Sequence, residues 1–76
     1  MNNYKMIRLW KGLTTRQAAQ SLGLSLGTVA AVENGQRTPT NEVRAAYAKA
    51  FPINNDFFVF VESFKRTSPL NYNTEL

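Results

Sequence analysis

Cysteine and histidine are both missing from the 76 residues of this chain. Without cysteine there is no disulfide framework and no thiolate metal site. Without histidine the commonest general base and the commonest zinc ligand are gone. Only five acidic residues are present, and they are scattered. No glycine-rich phosphate loop accompanies them, so nothing assembles the convergent titratable groups that a reacting site needs. The expectation is a protein that is not an enzyme and uses no cofactor and no metal. Long apolar runs are absent as well, and the opening Met-Asn-Asn-Tyr-Lys-Met has no secretory core. No membrane association is expected, and a soluble cytoplasmic protein is the default.

What is present suits one small domain. Apolar residues make up 43% of the chain, enough for a modest core and no second one. Folding at this size is marginal, so a partner subunit often helps. The net charge of +4 is unevenly placed. Residues 1–50 carry seven basic against two acidic side chains, a net +5, and residues 51–76 carry two against three, a net −1. The positive half suits a phosphate-facing surface. A basic domain with merely solvated lysines fits the same numbers.

The most informative stretch is Thr14–Gly35, TTRQAAQSLGLSLGTVAAVENG. It reads as two short helices joined at Gly23. Thr14 and Ser25 can cap them, because their hydroxyls accept from free N–H groups of the first turn. Ala18, Ala19 and Leu22, then Val29 and Val32, fall at helical spacing and should face inward. Gly23 supplies the left-handed backbone that ends the first helix, and Gly35 does the same for the second. Two short helices on a sharp turn are the geometry that offers a helix to the DNA major groove.

Around this pair, a first helix is expected from about Asn3 to Lys11, with Tyr4, Ile7 and Leu13 inward. Gly35–Thr40 is a turn-rich loop that Pro39 keeps from being helical. Thr40 is a plausible cap for a fourth helix running to Phe51, with an apolar stripe at Val43, Ala46, Tyr47 and Ala50. Pro52 breaks the chain. Asn54 or Asn55 can cap a fifth helix from Asp56 through Lys65. The run Phe57-Phe58-Val59-Phe60-Val61 also fits a buried strand. A domain over residues 1–66 and a flexible tail over 67–76 complete the expected layout.

Gly12-Leu13-Thr14, Ala19, Leu22-Gly23, Val29, Glu33-Asn34-Gly35 and Pro39 resemble the phage-repressor and Cro-type helix-turn-helix family, without gaps from about Tyr4 to about Phe58. The resemblance implies an all-α fold, a compact bundle of four to five helices. It implies that the helix starting near Ser25 is the recognition helix, and that double-stranded DNA is the partner. It favours the fifth helix over the strand. It also implies that Arg8 and Glu33 pair across the bundle in a structural role.

Helix N-termini attract anions through unpaired N–H groups and the helix dipole. Thr15, Arg16 and Gln17 at the first of the two helices, and Ser25 at the second, are therefore candidate phosphate contacts. Many family members carry glutamine where Thr15 stands, and the threonine hydroxyl has shorter reach. The following loop adds Asn34, Gln36, Arg37 and Thr38, with Arg37 the best single candidate.

The base-facing positions implied are Leu26, Gly27, Thr28, Ala30 and Ala31, and here the chain departs from the family pattern. Relatives usually place Gln, Arg, Asn, Ser or Lys at several of them. Specific reading depends on bidentate side-chain contacts worth about 1–3 kcal/mol each. Of these five only Thr28 can hydrogen-bond through its side chain, while Leu26, Ala30 and Ala31 suit thymine methyls. Three meanings stay open: binding through phosphates and DNA shape, weak binding made specific by a partner, or a helix turned over to protein docking.

Phe57, Phe58, Val59, Phe60, Val61 and Phe64 exceed what one face of a short helix buries, so a homodimer interface is expected there. The alternative is that all of them cover one core. Trp10 is suited to a second contact surface or to packing over the tail. Two functional readings follow. One is a phage or mobile-element regulator, acting as a dimer on a short palindromic operator at the nucleoid. The other is an antirepressor or modulator whose partner is a repressor in a heteromeric complex.

Overall fold

Each of the first four helices opens on a capping side chain. In the computed structural model, which describes residues 2–67, α1 spans Asn3–Trp10 and starts at Asn2, whose Oδ1 accepts from the Lys5 N–H at 3.1 Å. Helix α2 (Thr15–Leu22) opens on a full capping box. Thr14 Oγ1 accepts from the Gln17 N–H at 3.1 Å, and Gln17 Oε1 accepts from the Thr14 N–H at 2.9 Å. Ser25 caps α3 (Leu26–Glu33), and Thr40 caps α4 (Asn41–Ala50) through the Val43 N–H at 3.2 Å. Helix α5 runs Asn55–Thr67, with Asn54 Oδ1 accepting from the Asp56 N–H at 3.0 Å.

The turns follow the glycines. Gly23 sits at φ +69°, and Leu24 N–H reaches back to the Ala19 carbonyl at 3.0 Å. Gly35 at φ +73° repeats this after α3, with Gln36 N–H on the Ala31 carbonyl at 2.9 Å. These are Schellman closures, which need the left-handed residue. A Cβ added at Gly23 would meet nothing within 4 Å, so backbone conformation alone demands glycine there.

The expected inward positions of the central pair are all buried, from Ala18 at 0% exposure to Leu22 at 8%. Helix α1 turns Met6 and Ile7 into the core, while Tyr4 and Leu13 pack half-buried at its margin. Tyr47 of α4 stacks edge-on against Tyr4, ring centroids 4.9 Å apart, and against Phe51 at 6.2 Å. Helix α1 ends at Trp10, one residue before the expected Lys11. Trp10 itself is half-buried, edge-on to Phe57 at 5.4 Å, with Lys11 Nζ 4.1 Å from its ring centroid. Its alternative packing over the tail lies outside the described residues.

The strand alternative for residues 57–61 is resolved in favour of a helix by burial as well as by hydrogen bonding. A half-buried strand would place Phe57, Val59 and Val61 on one face. Instead Phe57 and Val61 are 2% and 3% exposed while Val59 is 59% exposed, the i, i+4 phase of a helix. This corrects part of the interface expectation. Phe57 and Val61 belong to the chain's own core and present no surface to a second molecule. The exposed members are Phe58 and Val59; Phe60 and Phe64 are half-buried, with rings 6.1 Å apart. The helix also continues through Thr67, one residue into the expected tail; residues 68–76 lie outside the described residues.

Candidate nucleic-acid interface

Helix α3 is held from behind. Asn2 Nδ2 donates to the Val32 carbonyl at 2.7 Å, tying the start of α1 to the end of α3. Arg8 Nε donates to both carboxylate oxygens of Glu33, at 3.0 and 2.8 Å, and Arg8 Nη1 donates to the Leu13 carbonyl at 3.0 Å. One guanidinium therefore fixes α3 to α1 and to the turn that leads into α2. The two side chains are 13% and 4% exposed. Such a pair fixes geometry more than it adds net stability, because desolvation offsets much of the attraction. Glu33 is the one buried charged residue among those described.

Tyr47 lies behind the same junction. Its hydroxyl is buried with no hydrogen-bond partner among the described residues. Its pKa is pushed up to about 12, first by burial, then by the Glu33 carboxylate and Tyr4, with Arg8 opposing. It stays a neutral phenol at any ordinary pH.

From the front, α3 carries no exposed charge, since its only ionisable residue is Glu33. Leu26 is 41% exposed, Gly27 is exposed, and Ala30 and Ala31 are half-buried. A Cβ at Gly27 would meet nothing within 4 Å. This is a shallow, smooth, uncharged surface.

Polar groups gather at its N-terminal edge. Ser25 Oγ accepts from the Thr28 N–H at 3.1 Å and donates to Thr28 Oγ1 at 2.8 Å. Arg37 Nη1 donates to the same Thr28 Oγ1 at 3.2 Å. The chain reaches this point because the Arg37 N–H, like that of Gln36, bonds the Ala31 carbonyl, at 3.2 Å. The loop thus folds back along α3, and the Arg37 side chain returns to its first turn. Arg37 itself is exposed and has no carboxylate partner among the described residues. No signal in the sequence marks this contact, which spans nine residues across a turn.

The other expected phosphate contacts are distributed differently. Arg16 and Gln17 are exposed at the start of α2 and Thr15 is half-buried. Gln17 uses its side-chain carbonyl in the capping box, so only its amide nitrogen remains to donate. Asn34, Gln36 and Thr38 are exposed on the loop. Among the described residues the structure brings Ser25, Thr28 and Arg37 together by direct hydrogen bonds, and joins none of the α2 residues to that cluster. Asn2, which also holds α3, carries only a local signal in the sequence, its capping position before the first helix.

No group of three or more acidic side chains that could hold a metal ion occurs among the described residues, and no helix there is long and apolar enough to cross a membrane. A family model described as helix-turn-helix matches residues 5–57, well over half of the chain. Comparison with curated proteins and with solved structures finds no match.

Proposed function

Because the chain belongs to the Cro- and phage-repressor-type helix-turn-helix family, a family of DNA-binding regulators, we propose that it acts as a small transcriptional regulator of phage or mobile-element type on a short palindromic operator. The observation that carries this is the placement of α3. It is clamped from behind by Arg8 and Asn2, outwardly uncharged, and flanked at one edge by the exposed Arg37 guanidinium. That edge, with the loop residues Asn34, Gln36 and Thr38 and the α2 start at Thr15, Arg16 and Gln17, is the phosphate-facing surface in this reading. Phosphate contacts position the protein and base contacts specify the site.

The functional unit in this reading is a homodimer, working at the nucleoid in the cytoplasm. The exposed Phe58 and Val59 of α5, margined by Phe60 and Phe64, are its contact. A two-fold pair would set two recognition helices about 34 Å apart, one turn of duplex. The test is a mobility-shift series with random duplex DNA at two salt concentrations, run beside size exclusion. Expected are a dimer and an affinity that falls steeply with salt. Unmeasurable affinity for duplex at low salt would remove the proposal.

One observation favours a second reading. An uncharged α3 with Leu26 41% exposed also suits docking on a repressor protein, as an antirepressor does. That reading requires a tight heteromeric complex which Leu26→Glu abolishes. A pull-down recovering only self and DNA counts against it.

A further inference from the structure

Base edges differ in what they ask of a protein. In the major groove, adenine and cytosine present amino groups that need an acceptor, guanine presents two acceptors, and thymine presents one acceptor beside an apolar methyl. The side chains of α3 can be matched against that list.

The helix holds one hydroxyl on its outward side, and that hydroxyl is occupied. Thr28 Oγ1 accepts from Ser25 Oγ and from Arg37 Nη1, which fills both of its lone pairs. Along the outward positions Leu26, Gly27, Thr28, Ala30 and Ala31 no side-chain acceptor is left to receive an adenine or cytosine amino group; the free lone pair of the Ser25 hydroxyl lies at the cap before them. The Thr28 O–H can still donate once. Guanine, adenine and thymine all offer an acceptor in the groove, so a single donor does not separate them. Everything else outward is hydrocarbon or bare backbone: Leu26, Gly27, Ala30 and Ala31. Placed over an amino or keto group, that surface removes water and returns no hydrogen bond, which is unfavourable. Over a methyl group it buries apolar area against apolar area, which is favourable.

Resting on the reading of α3 as the DNA-facing helix, we infer that it selects sequence through thymine 5-methyl groups. Leu26, Ala30 and Ala31 make the contacts, and Thr28 positions Arg37 instead of reading a base. The small residues serve this. A methyl approaching Gly27 meets open space, since nothing lies within 4 Å of where a Cβ would stand. Short alanines on the next turn keep the helix axis close to the groove floor. Leu26, the longest of the set, reaches furthest.

The experiment uses the purified full chain and duplex DNA. A site recovered from a random duplex pool is remade with deoxyuridine in place of thymidine, one position at a time, which removes the methyl and keeps the hydrogen-bonding edge. Affinity is expected to fall about fourfold at each contacted methyl, the effect of one buried methyl-sized group. In Leu26→Ala, that discrimination should vanish at one position and persist at the others. The substitution is at an exposed site, and a thermal melt checks that the fold is retained. Binding that is retained but indifferent to uracil overturns this inference and leaves the regulator reading standing. Recovered sites that fix only G·C pairs beneath α3, or fix no A·T pair there, do the same. Absence of any duplex binding overturns both.

Discussion

Two arginines hold opposite sides of α3, and they could hardly be more different. Arg8 is nearly buried, meets both oxygens of Glu33, and gives another nitrogen to the Leu13 carbonyl. Arg37 is exposed, and among the described residues its side chain meets only the neutral hydroxyl of Thr28. The first charge is compensated inside the fold. The second is oriented by the fold but not neutralised by it. A buried, paired charge is expensive to disturb, because removing its partner leaves it without water or counter-charge. An exposed, steered charge contributes little to stability and remains open to an external anion. The contrast separates what builds the domain from what the domain presents.

The largest expected effect strikes the inner side. Glu33→Gln keeps the shape but leaves Arg8 poorly compensated, and should destabilise by on the order of 3 kcal/mol in chemical denaturation. For a chain this small that is a large share of total stability. A loss under about 0.5 kcal/mol, the size of an ordinary surface change, would erase the contrast between the two arginines.

Next comes a pH effect at the same junction. The Tyr47 pKa is raised from 10.0 to about 12 in the folded protein. The unfolded chain ionises first, so stability is undiminished by this group below pH 10 and falls as pH rises from 10 towards 12. The loss is on the order of 2 kcal/mol. Thermal melts across that window should show alkaline destabilisation that Tyr47→Phe largely removes. At pH 7 the same substitution should be neutral or mildly stabilising, since it deletes an unpaired buried hydroxyl.

A smaller effect belongs to the turn that sets α3 at its angle. Gly23→Ala forces a side chain into left-handed backbone, at a cost of about 1–2 kcal/mol, although the added methyl meets open space. Melting temperature reads it directly. Smallest for the fold is Arg37→Ala, expected to shift stability by less than about 0.5 kcal/mol. Its signature is instead in binding. Affinity should drop about evenly across sequences, with the log–log salt slope reduced by about one. A stability loss matching that of Glu33→Gln would show the two arginines to be alike after all.

The sequence carries the helices well, because their signals are local. Thr14, Ser25 and Thr40 each stand just before an apolar helical pattern, and Gly23 and Gly35 stand just after one. Caps and left-handed turns depend on neighbours a few residues away. The Arg8–Glu33 pair was legible only through family resemblance, since 25 residues separate its members. What stayed hidden depends on how helices lie against each other. Phe57 and Phe58 are chemically alike, and only the phase of α5 against α1 decides which is buried. The same applies to Met6, more deeply buried than the Tyr4 and Leu13 expected there. Within the site, Thr28 read as a base contact. Its engagement by Arg37 emerges only when the loop folds back onto the Ala31 carbonyl.

Gly27 has a consequence for the history of such a helix. The site is vacant, faces away from the core, and is glycine for no steric reason visible in its surroundings. Almost any side chain can be installed there, and most would firm up the helix by up to about 1 kcal/mol relative to glycine. A glutamine or arginine at this one position would add a bidentate hydrogen-bonding arm without repacking a single neighbour. Under the proposed DNA-facing role of α3, one substitution at this slot would therefore retarget the domain to a different sequence.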